Sequence, residues 1–361
     1  MKTTIQSVIG NIVASIAPPG ELWGTQARTH LDELTKPIGS LGMLEDIAAQ
    51  IVAIRCGDSS ELRKAAYIFA ADHGIAAEGV SAYPSEVTRQ MVKNFLENGA
   101  AINVLAKLHR VELTIVDVGV NADFDSRDGL LNQKVRKGTR NMLREAAISK
   151  EELAQALSVG INLAAQAKAR NETLLAVGEM GIGNTTAASA ITAMLTGYPP
   201  ALVTGKGTGL TASAQERKRR VIEAILKKHF ADYRNNSSPD PLEVLRRIGG
   251  LEIAAMTGFI LGAAQQHIPV VIDGFISTAA AAIAFAITPL VRDYLFSGHQ
   301  SEEPGHRVLL EYLALKPILS LSMRLGEGTG AVLAMPIIES AMRLYNEMAT
   351  FASAGVSEAK N

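Results

Sequence analysis

Gly178-Glu179-Met180-Gly181-Ile182-Gly183-Asn184-Thr185-Thr186 is the stretch whose reading decides the fold. It follows Thr173-Leu174-Leu175-Ala176-Val177, a short apolar run of the kind that forms a buried strand. It precedes Ala187 to Leu195, which reads as a helix. A carboxylate therefore stands at the C-terminal end of a strand, ahead of a glycine turn and a helix start. Glycines allow positive φ and bring a ligand close to the backbone. Asn184 or Thr185 is expected to cap the helix, whose first N–H groups favour an anion. A second stretch, Gly326-Glu327-Gly328-Thr329-Gly330, sets another Glu among glycines ahead of apolar Ala331 to Met335. One such turn alone could simply join two elements. Two in one chain point to a shared site with two carboxylates.

Strands and helices alternate outward from these turns. Strand candidates are 66–71, 113–116, 173–177, 269–272 and 294–296. They end at Asp72-His73-Gly74, Asp117, Glu179, Asp273-Gly274 and Ser297-Gly298-His299. Between them, Pro84 opens a helix with Val87, Met91 and Phe95 inward, and Ser149 to Glu152 forms a capping box. Residues 23–34 and 41–55 read as two helices separated by a turn-rich link. This alternation predicts an α/β fold, a doubly wound and mostly parallel sheet flanked by helices. Ligands bind at the carboxyl ends of such strands, so several of these polar ends should converge on one crevice. Asp117 is read instead as a cap for the element that follows.

Composition excludes several classes. The chain has 361 residues, 47% of them hydrophobic, and a net charge of −1, with no footprint for nucleic acid or an anionic membrane. Its single cysteine, Cys56, rules out an internal disulfide and suits a reducing, cytoplasmic setting. Met1 to Pro18 carries no signal-peptide pattern. The uncharged run Gly274 to Val291 reads as a buried helix rather than a membrane span. No His-Glu-x-x-His spacing or cysteine zinc site occurs, and no metal is expected. Val203 to Gly209 has the composition of a phosphate loop but fails the Walker A test, because Gly207 follows Lys206. Glu216 to Arg220 begins a helix whose basic residues form a solvated face, one of which can reach a phosphate. Arg234 to Pro241 reads as a loop.

Taken together, several motifs resemble one family. Leu34 to Gly42, Asp72-His73-Gly74, Gly178 to Thr186, Ser297 to His306 and Arg324 to Ala331 look like nicotinate-nucleotide–dimethylbenzimidazole phosphoribosyltransferase, in the expected order. The resemblance implies transfer of phosphoribosyl from nicotinate mononucleotide to 5,6-dimethylbenzimidazole, in the assembly of the lower ligand of cobalamin. Configuration inverts, and neither metal nor cofactor is required. It gives Glu327 the role of general base and Glu179 a supporting place near the ribosyl. Gly181, Gly183 and Asn184 match the loop around the phosphate, with Ser297 and Gly298 on the same side. Lys218 is the chosen phosphate cation, with Arg217, Arg219 and Arg220 as alternatives. Ser81, Tyr83, Gln90 and Leu325 fall in the segments matching the benzimidazole pocket. Gln300 and Glu302 depart from the family's Arg and Ala. The resemblance also implies a homodimer, with a large domain at 61–331 and a smaller helical domain built from 1–60 and 332–361. Two rivals share the crevice: transfer to another acceptor such as adenine or a phenol, and a nucleotide-binding protein without catalysis.

Overall fold

The central strands are apolar on both faces and so must be covered by helices on both sides. The computed structural model describes residues 5–125, 129–207, 209–231 and 239–357. It has a seven-stranded sheet in the order β3-β2-β1-β4-β5-β6-β7. The strands are β1 Lys64–Ala71, β2 Glu112–Gly119, β3 Leu130–Asn132, β4 Leu174–Met180, β5 Val270–Ile272, β6 Leu295–His299 and β7 Pro317–Leu319. Every pairing is parallel. The chain winds from β1 outward through β2 and β3, then returns to β4 and winds the other way. The reversal therefore lies between β1 and β4, whose register pairs Phe69 with Glu179. Ligands bind at such a switch point, at the carboxyl ends of the strands.

The helices are α1 Ile5–Ser15, α2 Glu21–Glu33, α3 Met43–Ile54, α4 Glu86–Leu96, α5 Ala101–His109, α6 Lys150–Ala169, α7 Asn184–Thr196 and α8 Pro200–Val203. They continue with α9 Ala212–Phe230, α10 Pro241–Ile248, α11 Leu251–Gln265, α12 Phe275–Ile287, α13 Pro304–Leu313, α14 Thr329–Glu347 and α15 Phe351–Ala354. Helices α6 and α11 pack on each other, and α11 lies on β1, β2 and β4; α14 packs on β4, β5 and β6. The capping box at Ser149 forms as expected, with Glu152 N–H donating to Ser149 Oγ at 3.1 Å. The uncharged run becomes α12, buried through most of its length, and no described helix is long and apolar enough to cross a membrane.

Several local expectations are corrected. Asn184 and Thr185 do not cap α7; Gly183 does, at φ 101°, because the turn needs a left-handed residue there. The helix bearing the basic cluster starts earlier, at Ala212, behind the Thr211 cap. Asp117 lies inside β2 and caps no helix. It accepts the Val120 N–H at 2.9 Å and pairs with Lys134 at 2.7 Å. The short edge strands β3 and β7 were not anticipated, and β6 runs on to His299. Of the loop read at Arg234 to Pro241, residues 234–238 lie outside the described residues, and Pro241 begins α10.

Segments from the early and late parts of the chain meet. Helices α2 and α3 pack together, α3 packs on α14, and Leu34 bridges Thr350. Helix α1 lies elsewhere, against α6 and α11. The boundary expected between residues 331 and 332 falls inside α14, which runs unbroken from the Glu327 turn toward α3.

Candidate active site

The two glycine turns interlock. Gly178 lies so close to the second turn that a Cβ there would stand 2.4 Å from the Gly328 nitrogen. Gly326 lies as close to the first, where a Cβ would meet Glu179 Oε1 at 2.7 Å. A side chain at Gly178 would drive the turns apart, because it meets backbone; one at Gly326 would displace the Glu179 carboxylate. The second turn is left-handed at three successive residues, with φ of 87° at Gly326, 63° at Glu327 and 82° at Gly328. Glutamate rarely adopts that conformation, and holding it there costs about 1–3 kcal/mol.

Asp273, at the end of β5, ties this turn down. Its carboxylate accepts N–H bonds from Gly328 at 3.1 Å, Gly330 at 2.7 Å and Ala331 at 3.0 Å. These are amides at the start of α14, where a helix lacks its own acceptors and favours a negative charge.

Beside the turns lies a cavity of about 410 Å³. Glu179 and Glu327 both line it, with Gly181, Asn184, Thr185 and Gly207 on one side and Tyr83, Val87, Met91, Phe275 and Leu325 supplying apolar surface. Burial pushes the Glu179 carboxyl up to about 8, assisted by the charges of Asp273, Glu252 and Glu327 and opposed by a hydrogen bond from Asn184. Burial, with Asp273 nearby, pushes Glu327 up to about 7. The Asn184 side chain, freed from capping, donates to Glu179 Oε2. Among the described residues, no hydrogen bond or ion pair holds the Glu327 carboxylate.

Lys218 is fully buried and stands behind the cavity wall. Its Nζ donates to Thr185 Oγ1 at 2.8 Å. Desolvation pulls its ammonium down to about 8, against the attraction of Glu303. The α7 N-terminus, Thr185, Gly207 and this cation form a setting that favours an anion. Arg219 and Arg220 turn to Glu216 on the same helix.

Other expected residues fall outside the lining. Gly183 packs on His73, and Gly298 faces the first turn of α14, where a Cβ would meet Ala331 Cα at 2.7 Å. Ser297 is buried two residues below His299 in β6. Ser81 accepts the Tyr83 N–H at 3.3 Å, and Gln90 is exposed on α4, next to the inward Met91. Gln300 and Glu302 point to solvent, while their N–H groups bond Leu319 and Met323. Their departure from the family pattern thus leaves the backbone of this loop in place. His299, Ser301 and Glu303 also line the cavity, and sequence reasoning did not single them out. The polar strand end at His299 and the motif Ser297 to His306 were the available clues. His306, held neutral by burial and by His299 at about 3, accepts the Ser301 N–H and fixes that loop. No group of three or more His, Cys, Asp or Glu side chains suited to a metal ion occurs among the described residues.

Known proteins resemble this chain over nearly its whole length. A phosphoribosyltransferase family model matches residues 16–356. A nicotinate-nucleotide–dimethylbenzimidazole phosphoribosyltransferase from Geobacter sp. strain M21 is 49% identical over 97% of this chain and 99% of its own length. This chain belongs to that family. It is an enzyme, a phosphoribosyltransferase. A relative of the same name from Chloroflexus aggregans is 49% identical over 98% of this chain and 99% of its own. The crystal structure of the Thermus thermophilus phosphoribosyltransferase of this name superposes with a TM-score of 0.87 at 47% identity. It covers 94% of this chain and all of that one. The α/β fold of this phosphoribosyltransferase, and its doubly wound parallel sheet, are those of its relatives.

Proposed function

We propose that this phosphoribosyltransferase moves the phosphoribosyl group of nicotinate mononucleotide onto 5,6-dimethylbenzimidazole. The products are α-ribazole 5′-phosphate and nicotinate. The observation that carries this reading is the meeting of Glu179 and Glu327 on one cavity beside an anion-favouring helix start. The substrates come from the names of the relatives.

A benzimidazole nitrogen attacks the ribose C1′ as the bond from C1′ to the pyridinium nitrogen breaks. Nicotinate leaves with that electron pair and needs no proton. Attack from the face opposite the leaving group inverts the centre. The benzimidazole's other nitrogen loses its proton to Glu327, which prevents a cationic product. A carboxylate near 7 suits general base work at neutral pH. Glu179 faces the ribosyl. Arrival of the nucleotide's positively charged pyridinium ring beside it favours the charged form of Glu179, which stabilises the oxocarbenium character that develops at C1′. Lys218, through the Thr185 wall, supports the phosphate at the α7 N-terminus. Tyr83 and Leu325 border the flat acceptor. The same reading places a homodimer in the cytoplasm; sedimentation equilibrium and cell fractionation check both parts.

The deciding experiment mixes the protein with both substrates and a chelator and follows products by chromatography. Equal amounts of nicotinate and α-ribazole 5′-phosphate are expected. Nucleotide binding without turnover would overturn the reading of the acceptor, and competing adenine, phenol and benzimidazole in one assay would then identify it.

A further inference from the structure

We propose that Asp273 is the positioning residue for Glu327: its carboxylate holds the start of α14 and thereby fixes the direction in which the base projects into the cavity. This inference rests on the proposed role of Glu327. Three observations carry it. First, the acceptor is concentrated on one segment. Two oxygens of one buried side chain take the N–H groups of Gly328, Gly330 and Ala331, all within four residues of Glu327. Second, Glu327 sits at φ 63°, between two left-handed glycines, a conformation that relaxes unless its surroundings hold it. Third, among the described residues the Glu327 carboxylate has no tie of its own, so the backbone alone aims it. Asp273 does not line the cavity, whereas Glu327 does. Its influence on the reaction therefore passes through the turn.

The charge of Asp273 acts on the same base. It stands second to desolvation in raising Glu327, and also second in raising Glu179. The groups facing Asp273 are His299 of β6, whose Nε2 is 3.6 Å from Oδ1, and the two glutamates. His306 lies behind His299, ring centroids 6.2 Å apart. Removing the Asp273 charge while leaving these groups lowers the pKa of Glu327. The base limb of the rate profile then moves to lower pH. A residue that only stabilised the fold would leave that limb where it was.

The test compares wild type, Asp273→Asn and Asp273→Ser, each alone and combined with Glu327→Gln. The readouts are nicotinate mononucleotide affinity by calorimetry and single-turnover rate across pH with 5,6-dimethylbenzimidazole. Nucleotide affinity should stay within about threefold. The rate should fall about 100-fold, the scale expected when a reacting group is misplaced by about 1 Å. The base limb should shift downward, and neither substitution should reduce the rate further once Glu327 is Gln. Three outcomes would overturn the inference: an unchanged rate and pH profile, an equal loss in the Gln background, or loss of nucleotide binding and of the melting transition in both variants. If Glu327→Gln alone is fully active, the base assignment fails instead; a silent Asp273→Asn beside an inactive Glu327→Gln sinks only the positioning role.

Discussion

Glu179 and Glu327 occupy turns of nearly the same composition, yet the two are held in different ways. Glu179 is the penultimate residue of β4. Hydrogen-bonded neighbours flank that strand on both sides, and the Asn184 side chain ties its carboxylate. Glu327 belongs to no strand. It sits on a strained left-handed turn at the start of α14, with its carboxylate untied. The difference teaches a division of labour. On the proposed roles, the group set beside the ribosyl is built into the sheet. The group proposed to take the proton has no partner among the described residues, and its aim is set by backbone.

The sharpest way to break this comparison is to neutralise each glutamate in turn. Glu327→Gln should cost about 10²–10⁴-fold in turnover, the usual worth of a general base, with nucleotide affinity retained. Glu179→Gln should cost less. It should also raise the melting temperature above pH 8 by about 2 °C or more, because it removes a buried carboxyl. The sign follows from the shift: Glu179 holds its proton more tightly when folded, up to about 8. The stability this carboxyl contributes while protonated is therefore lost as pH rises from its unfolded value to about 8 and stays lost above it. Equal losses of turnover from both substitutions would erase the distinction between them.

Pulling the turns apart is the next largest perturbation. Gly178→Ala sets a Cβ against the backbone of Gly328, which cannot yield as a side chain would. About 1–3 kcal/mol of stability should be lost in chemical denaturation, and turnover should fall with it. Lys218→Met sharpens the contrast from the phosphate side. It should raise KM for the nucleotide about 10-fold or more, as loss of a charge-assisted bond would, while kcat changes little. In wild type, kcat/KM should rise with pH through about 7 as Glu327 loses its proton, and fall above about 8 as Lys218 loses its charge. The smallest effect is expected at the cavity mouth, where exposed Tyr83→Ala should change the benzimidazole KM by under about threefold.

The central strands were legible because strands buried on both faces are written as plain apolar runs, as in Ala65 to Ala71. The edge strands β3 and β7, three residues each, carry no period long enough to read. That Glu179, Asn184 and Glu327 meet at one cavity could be anticipated from the glycine turns, whereas Lys218, singled out from its basic helix, lies behind the wall and not in the lining. The Asp273 tie was not legible, since its three partners lie more than fifty residues away and only the folded chain brings them close. The expectation for Ser297 and Gly298 came from the family resemblance and took no account of how far β6 runs. Further residues of strand, out to His299, place Ser297 below the cavity and turn Gly298 toward α14.

The interlock of the two glycine turns has a consequence for synthesis. The first turn leaves the ribosome early, the second only after β5, β6 and β7 have been made. A chain made only through β7 lacks the second carboxylate altogether. Until Gly326 arrives, the end of β4 lacks the turn that Gly178 packs against.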